Sequence, residues 1–368
     1  MQLVYLSPVS WTSFAQRPHK FVEWFRTESS GQVLWVDPYP TRLPSWSDLG
    51  RRGDASSSAK EVLPEGLKVI NPRAFPIEPL PGSGAVNRVL WADIFQAVKD
   101  VLSAGPTILG IGKPSELALQ LLSAGGFNRS FYDAMDDFPA FYSGLSRVAM
   151  AKRERRVVNG VSKVFVSSTE LLARWGSGEK ISLARNACDI QMMQSLNEPA
   201  MPKRQEAIGY VGTIGQWFDW ELVFAIARAK PLMQVRLIGP VFFPPPSHLP
   251  TNVELFPPCE HGAAIAAMHG FAVGLIPFKQ TRLTKSVDPI KYYEYRAMGL
   301  PVISSSFGEM RFHQNDPGVF LVDKTATVGE LSSTIDAALA YQAAMNEIQD
   351  FRIHNSWEAR FAATDLLP

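Results

Sequence analysis

Cysteine is nearly absent: the 368 residues hold two, Cys188 and Cys259. Two thiols this far apart in sequence form neither a disulfide framework nor a CxxC redox or zinc-knuckle pair, and they point to a reducing compartment. Charge of one sign is scarce as well. Thirty-six Lys and Arg oppose 35 Asp and Glu, a net of +1, which argues against nucleic-acid binding through bulk positive charge. No uninterrupted apolar run approaches the ~20 residues that span a bilayer; the stretch Phe271–Phe278 is strand-sized. The opening Met1–Leu6 lacks a basic leader and a long apolar segment, so it is expected to be a first core strand of a cytoplasmic protein. G-x-G-x-x-G, Walker A and G-x-S-x-G sequences are missing, and no His, Cys and carboxylate cluster has metal-ligand spacing. Dinucleotide dehydrogenases and P-loop enzymes lose ground accordingly, and no metal need be invoked. No repeat of 20–50 residues is found.

What is present is ordinary globular material, 46% hydrophobic and 19% charged, long enough for about two domains. Short apolar runs at Leu3–Leu6, Val33–Val36, Val69–Ile70, Thr107–Ile111, Arg129–Tyr132 and Lys163–Ser167 are separated by longer amphipathic stretches such as Ala85–Leu102. Strand–helix alternation of this kind predicts a parallel α/β sheet covered on both faces. The polar, proline-bearing segment 194–206 reads as a linker. The pattern then restarts at Ala207–Val211, Gln234–Ile238, Val253–Phe256, Ala272–Ile276 and Pro301–Ser304. Two doubly wound domains are expected, 1–193 and 207–350. Ligands of such sheets bind outside the carboxyl ends of the strands, so a cleft between the domains is expected to hold the site.

Three segments carry candidate chemistry. In "SVDPIKYYEYRAMGLPVIS" (286–304), Asp288 is read as an N-cap, Pro289 as the first helical residue and Gly299 as the residue just past the helix. The helix start suits a phosphate. Lys291 in the first turn and Glu294 on the same face would grip a diphosphate and ribose hydroxyls, although a solvated Lys–Glu pair has the same spacing. The segment Gly209–Gly215 ends a strand in a Gly-x-x-Gly turn, where Gly212 and Gly215 permit close backbone approach or serve packing alone. "FYDAMDDFPA" (131–140) places Asp133, Asp136 and Asp137 at the end of a strand. An aspartate there is a candidate general base toward a hydroxyl, while turns and caps also favour Asp.

Taken together these segments resemble bacterial nucleotide-sugar glycosyltransferases of the GT-B fold. The 288–304 segment is similar to the DPxKxxEYxAxGxPVV donor-site motif of group-1-type enzymes. The 208–223 segment resembles the opening of their donor domain, and 131–141 the YDxxDD segment of a subset involved in polysaccharide synthesis. "QRPHKF" (16–21), "VFVSSTEL" (164–171) and "NSWEAR" (355–360) extend the likeness over nearly the whole chain. The resemblance implies two Rossmann-like domains, with residues 351–368 crossing back onto the first. It implies a UDP-sugar donor, with Lys291 on the diphosphate, Glu294 on the ribose, and Gly212 and Gly215 beside the phosphates. A carbohydrate acceptor on a lipid carrier, in cell-surface polysaccharide synthesis, is implied likewise. No cofactor beyond the donor is implied. Retaining members carry a second glutamate eight positions before the one matching Glu294, where this chain has Ser286. Asp136 resembles the base of an inverting glucuronosyltransferase family, so inversion is favoured. Arg17, His19, Asp137, Trp217 and His261 are further candidate contacts to donor or acceptor. The basic stretch Arg147–Lys163 could hold the protein at an anionic inner-membrane surface or simply be a solvated helix face. Alternatives are a nucleotide-sugar epimerase of the same fold, and a non-catalytic sugar-binding partner of a synthase complex, which has no need of a donor grip.

Overall fold

The computed structural model describes residues 1–41, 63–78, 80, 82–195 and 207–367; most of the expected linker lies outside these. The chain divides into two compact units, the first holding Met1–Val166 and Leu171–Leu183, the second Ser167–Glu170 and Ala184–Leu366.

The first unit is built on a seven-stranded sheet of order β3-β2-β1-β4-β5-β6-β7. Its strands are β1 Gln2–Leu6, β2 Val33–Val36, β3 Leu67–Ile70, β4 Thr107–Ile111, β5 Arg129–Ala134, β6 Lys163–Val166 and β7 Ile181–Leu183. All pair in parallel, with Val4 opposite both Leu34 and Leu109. Strands covered by helices on both faces need apolar side chains at every position, which is why β1, β2 and β4 read as unbroken apolar runs. The amphipathic stretch Ala85–Leu102 falls on two helices, Ser83–Leu90 and Ala92–Ala104, meeting at Trp91. Trp91 is fully buried against Tyr39. Burying that indole outweighs the continuous helical period on either side of it. Edge strand β7, three residues long and half-exposed, carries too little pattern to be read from sequence.

The second unit holds a six-stranded parallel sheet of order β10-β9-β8-β11-β12-β13. Its strands are β8 Ala207–Val211, β9 Gln234–Ile238, β10 Val253–Phe256, β11 Val273–Ile276, β12 Val302–Ser305 and β13 Val319–Val322, the last not anticipated. The strand order reverses between β8 and β11. The helix Ile290–Ala297, which joins β11 to β12, is seated by Tyr295. The Tyr295 ring occupies the space a side chain at Gly274 of β11 would need, a Cβ there lying 2.4 Å from Cδ2. Its hydroxyl accepts from the Val211 N–H of β8 at 3.3 Å. The helix ends as expected, with Gly299 in the left-handed region at φ +69°.

Its start differs from expectation. Pro289 occupies the N-cap position and Asp288 makes no cap. The buried Asp288 carboxylate instead accepts the Asn186 N–H at 2.6 Å and the Tyr293 hydroxyl at 3.1 Å. Burial raises its pKa to about 6, with the Asn186 amide opposing. This tie explains why the segment from Ala184 belongs to the second unit, ten residues before the boundary expected at 193. Residues 351–366, expected to cross back onto the first domain, are also part of the second unit. There Asn355 O accepts the Cys188 N–H at 2.9 Å, and the Trp357 N–H donates to Cys188 O at 3.3 Å.

Candidate functional site

In the second unit the candidates gather at the carboxyl edge of the sheet. Gly212–Gly215 follows β8, the helix His261–His269 follows β10, and Ile290–Ala297 follows β11. The reversal of strand order between β8 and β11 is where a doubly wound sheet opens a crevice. Lys291 and Glu294, three residues apart on one helix, form an ion pair there. His261 completes the group: its Nε2 lies 3.4 Å from Glu294 Oε1. Burial pushes the Glu294 carboxyl up, but Lys291 and His261 outweigh burial and hold it below the usual carboxylate range. Glu294 is therefore ionised, with Lys291 as its main cation. His261 Nδ1 is buried without a hydrogen-bond partner. A cation, a carboxylate and an imidazole beside two helix N-termini have the chemistry to hold an anion carrying hydroxyls. His261 is joined to the Lys–Glu pair across 33 residues of sequence.

The glycine turn is occupied by its own fold. Gly212 N–H donates to Ile238 O at 2.9 Å, and Ile214 N–H to Pro240 O at 2.9 Å. These amides are thus spent on the β9 side of the turn. Gly212 has φ +152°. A Cβ at Gly215 would lie 2.6 Å from the Trp217 ring, so packing under Trp217 requires this glycine. Trp217 is half-buried there, edge-on to Phe278 at 6.4 Å. Trp220 is core, its indole N–H donating to Phe243 O.

In the first unit the three carboxylates of the acidic segment after β5 meet three different fates. Asp133 at the end of β5 is buried and bound by the Arg17 guanidinium at 2.8–3.0 Å. Asp137 is paired with Arg174 at 2.6 Å. Asp136 is half-buried, and its carboxylate has no hydrogen-bond partner among the described residues. Burial raises its pKa to about 7; Arg17 opposes, and Asp133 and Asp137 add to the rise. A carboxylate free of partners and titrating near neutrality has the properties of a general base.

Two expected contacts are taken up internally. Arg17 is 3% exposed and held by Asp133; His19 is 4% exposed. His19 Nδ1 accepts the Gln16 N–H, which places the proton on Nε2, facing Trp11 O at 3.1 Å. The His19 ring packs between Trp11 and Trp35, and burial lowers its pKa. The basic stretch is divided as well. Arg153 is buried and paired with Glu78 and Glu116, whereas Lys152, Arg155 and Arg156 are exposed. The sequence pattern does not disclose Arg174 and Glu154, which lie far from the acidic segment in the chain and reach it only through folding. Among the described residues no group of three or more His, Cys, Asp or Glu is placed to hold a metal ion.

No family model matches the chain. Over 209 residues, 50% of the chain, it is 24% identical to the "Putative teichuronic acid biosynthesis glycosyltransferase TuaH" of Bacillus subtilis strain 168. That match spans about half of the relative's length, 52%. Among solved structures, a sucrose-phosphate synthase from Thermosynechococcus elongatus superimposes with a TM-score of 0.66 at 15% identity, covering 99% of this chain and 97% of that one. HepE of Anabaena, solved with UDP and glucose, gives 0.62 at 14% identity, covering 99% of each chain. A trehalose-6-phosphate protein of E. coli bound with UDP-2-fluoroglucose gives 0.63 at 11% identity, with full coverage of both. At these identities the likeness establishes the fold: two Rossmann-like α/β units of the GT-B class.

Proposed function

We propose that the protein is a glycosyltransferase that moves a sugar from a nucleoside-diphosphate donor, a UDP-sugar, to a carbohydrate acceptor on a lipid carrier. The group Lys291–Glu294–His261 at the β8/β11 reversal carries this reading. UDP and glucose in HepE, and UDP-2-fluoroglucose in the E. coli protein, support a donor of that class. The naming of TuaH as a teichuronic acid biosynthesis glycosyltransferase supports an acceptor in cell-surface polysaccharide synthesis.

Donor binding is assigned to the second unit. Lys291 transfers its ammonium from Glu294 to the diphosphate. Glu294, ionised and partnered by His261, accepts from ribose hydroxyls. As the sugar leaves, negative charge grows on the diphosphate, where Lys291 and the start of Ile290–Ala297 stabilise it. Acceptor activation is assigned to the first unit. Asp136 takes the proton of the attacking hydroxyl, and a single displacement inverts the anomeric centre.

A membrane surface supplies a lipid-linked acceptor. No helix of the described residues is long and apolar enough to cross a bilayer. The helix Gly144–Gly160, however, turns Leu145 (83% exposed) and Val148 (66%) outward. Lys152, Arg155 and Arg156 lie on the same face by helical spacing and are exposed. Apolar side chains beside cations suit an anionic lipid surface.

The test is release of UDP from a panel of UDP-sugars, with and without membrane-extracted lipid-linked glycans. Acceptor-dependent release that vanishes in Asp136→Asn, with UDP affinity intact, is the expected result. Conversion of the donor to an epimer without acceptor overturns it.

A further inference from the structure

A chain of four side chains lies behind the acidic loop that presents Asp136. Arg174, on the helix Thr169–Trp175, donates through Nη1 to Asp137 at 2.6 Å and through Nη2 to Glu154 at 3.1 Å. Glu154 is fully buried on the helix Gly144–Gly160, and its other oxygen accepts the Tyr132 hydroxyl of β5 at 2.9 Å. The loop itself is tightly turned. Met135 N–H donates to Asp133 O, Phe138 N–H to Asp136 O and Ala140 N–H to Asp137 O, all at 2.8–3.0 Å. Its flanks are thus secured at Asp133 by Arg17 and at Asp137 by Arg174, leaving Asp136 as the one carboxylate of the three with no cation bound to it among the described residues.

We propose that Arg174 is a positioning residue for Asp136: it ties the loop to Glu154 and Tyr132 and neutralises Asp137 beside the base. The proposal rests on the assignment of Asp136 as general base and concerns how that base is kept ionisable. The charged groups that bear on Asp136 are Arg17 from the first helix, Asp133 from β5 and neighbouring Asp137. Two of the three are acids. Were Asp137 left without its cation, its charge would act on Asp136 at close range and disfavour ionisation there. Those acting on Glu154 are Arg174, Tyr132, Asp137 and Arg155; burial raises its pKa to about 7, with Arg174 opposing. With Arg174 removed, burial favours the neutral form of Glu154, which keeps the Tyr132 hydroxyl as partner. The substitution is therefore compatible with folding.

The experiment compares wild type, Arg174→Gln, Arg174→Lys and the double variant Arg174→Gln with Asp137→Asn. The Asp136 carboxyl is titrated by carbon NMR, assigned through its loss in Asp136→Asn. Turnover is followed against pH in parallel, and UDP affinity is measured by calorimetry. In Arg174→Gln the Asp136 midpoint moves up by about one pH unit, with roughly tenfold lower turnover below neutrality. UDP affinity, set in the other unit, stays at the wild-type value. Arg174→Lys retains most of the wild-type behaviour, and the double variant returns the midpoint to its original place. An unmoved midpoint in Arg174→Gln, or a double variant as shifted as the single one, overturns the proposal. Undiminished turnover in Asp136→Asn would refute the base assignment instead, while the carboxyl titration still reports on Arg174.

Discussion

Replacing Lys291 by Met removes the ammonium and keeps most of the stem. In the structure that ammonium is paired with Glu294, whose side chain is 6% exposed, while the lysine side chain is 22% exposed. On the proposed reading it moves to the donor diphosphate, where a charge-assisted hydrogen bond in a partly screened site contributes about 1.5–3 kcal/mol. At about 1.4 kcal/mol per tenfold, the dissociation constant for UDP rises roughly 10–100-fold. Lys291 is also the largest influence holding the Glu294 carboxyl low against burial. Without it burial prevails, and the Glu294 pKa moves up. The variant's UDP affinity therefore falls further as pH drops toward 6, whereas wild type, its Glu294 already ionised, changes less. Calorimetric titration with UDP and with uridine at pH 6 and pH 8 reads both effects. Uridine carries no diphosphate, so its affinity at pH 8 is nearly the same in the two proteins. A loss as large for uridine as for UDP would refute the assignment of Lys291 to the phosphates. An unchanged UDP affinity would remove Lys291 from the donor site altogether.

Four other outcomes follow from the geometry. If Asp136 is the base proposed above, turnover needs it ionised, so with a pKa of about 7 turnover is present above neutrality and falls about tenfold per unit as pH drops below 7; a flat profile from pH 5 to 8 contradicts the base role. Arg17→Met leaves the buried Asp133 carboxylate without its guanidinium and is expected to cost about 3–5 kcal/mol, seen as a lower urea midpoint; normal stability with lost turnover would return Arg17 to the acceptor. Gly274→Ala drives a methyl against the Tyr295 ring, costs about 1–3 kcal/mol, and weakens UDP binding by displacing the helix that carries Lys291 and Glu294. A thermal-shift scan with and without UDP reads both effects, and intact UDP binding despite lower stability speaks against Tyr295 as the helix anchor. Leu145→Ser with Val148→Ser abolishes co-flotation with phosphatidylglycerol vesicles at low salt; flotation equal to wild type assigns any lipid binding to another surface.

Much of the fold was legible because buried parallel strands must be apolar at every position, so β1, β2, β4, β8 and β11 announce themselves as short runs between helical stretches. Lys291 and Glu294 were legible for a similar reason: they meet within one turn of one helix, and local geometry alone brings them together. Chain-distant meetings were not. Asp288 looks like a cap until Asn186 arrives from 102 positions away to take its carboxylate. Arg17 and His19 look like substrate contacts until the sheet brings Asp133 and Trp35 against them. The sequence supplied three acids within five residues without ranking them. Their division into a buried ion pair, a tethered partner and a free carboxylate was decided by where Arg17 and Arg174 come to rest. The physical cause is that short-range pattern reports backbone conformation and burial, whereas the protonation and availability of a side chain depend on which charges the tertiary fold brings within a few ångströms.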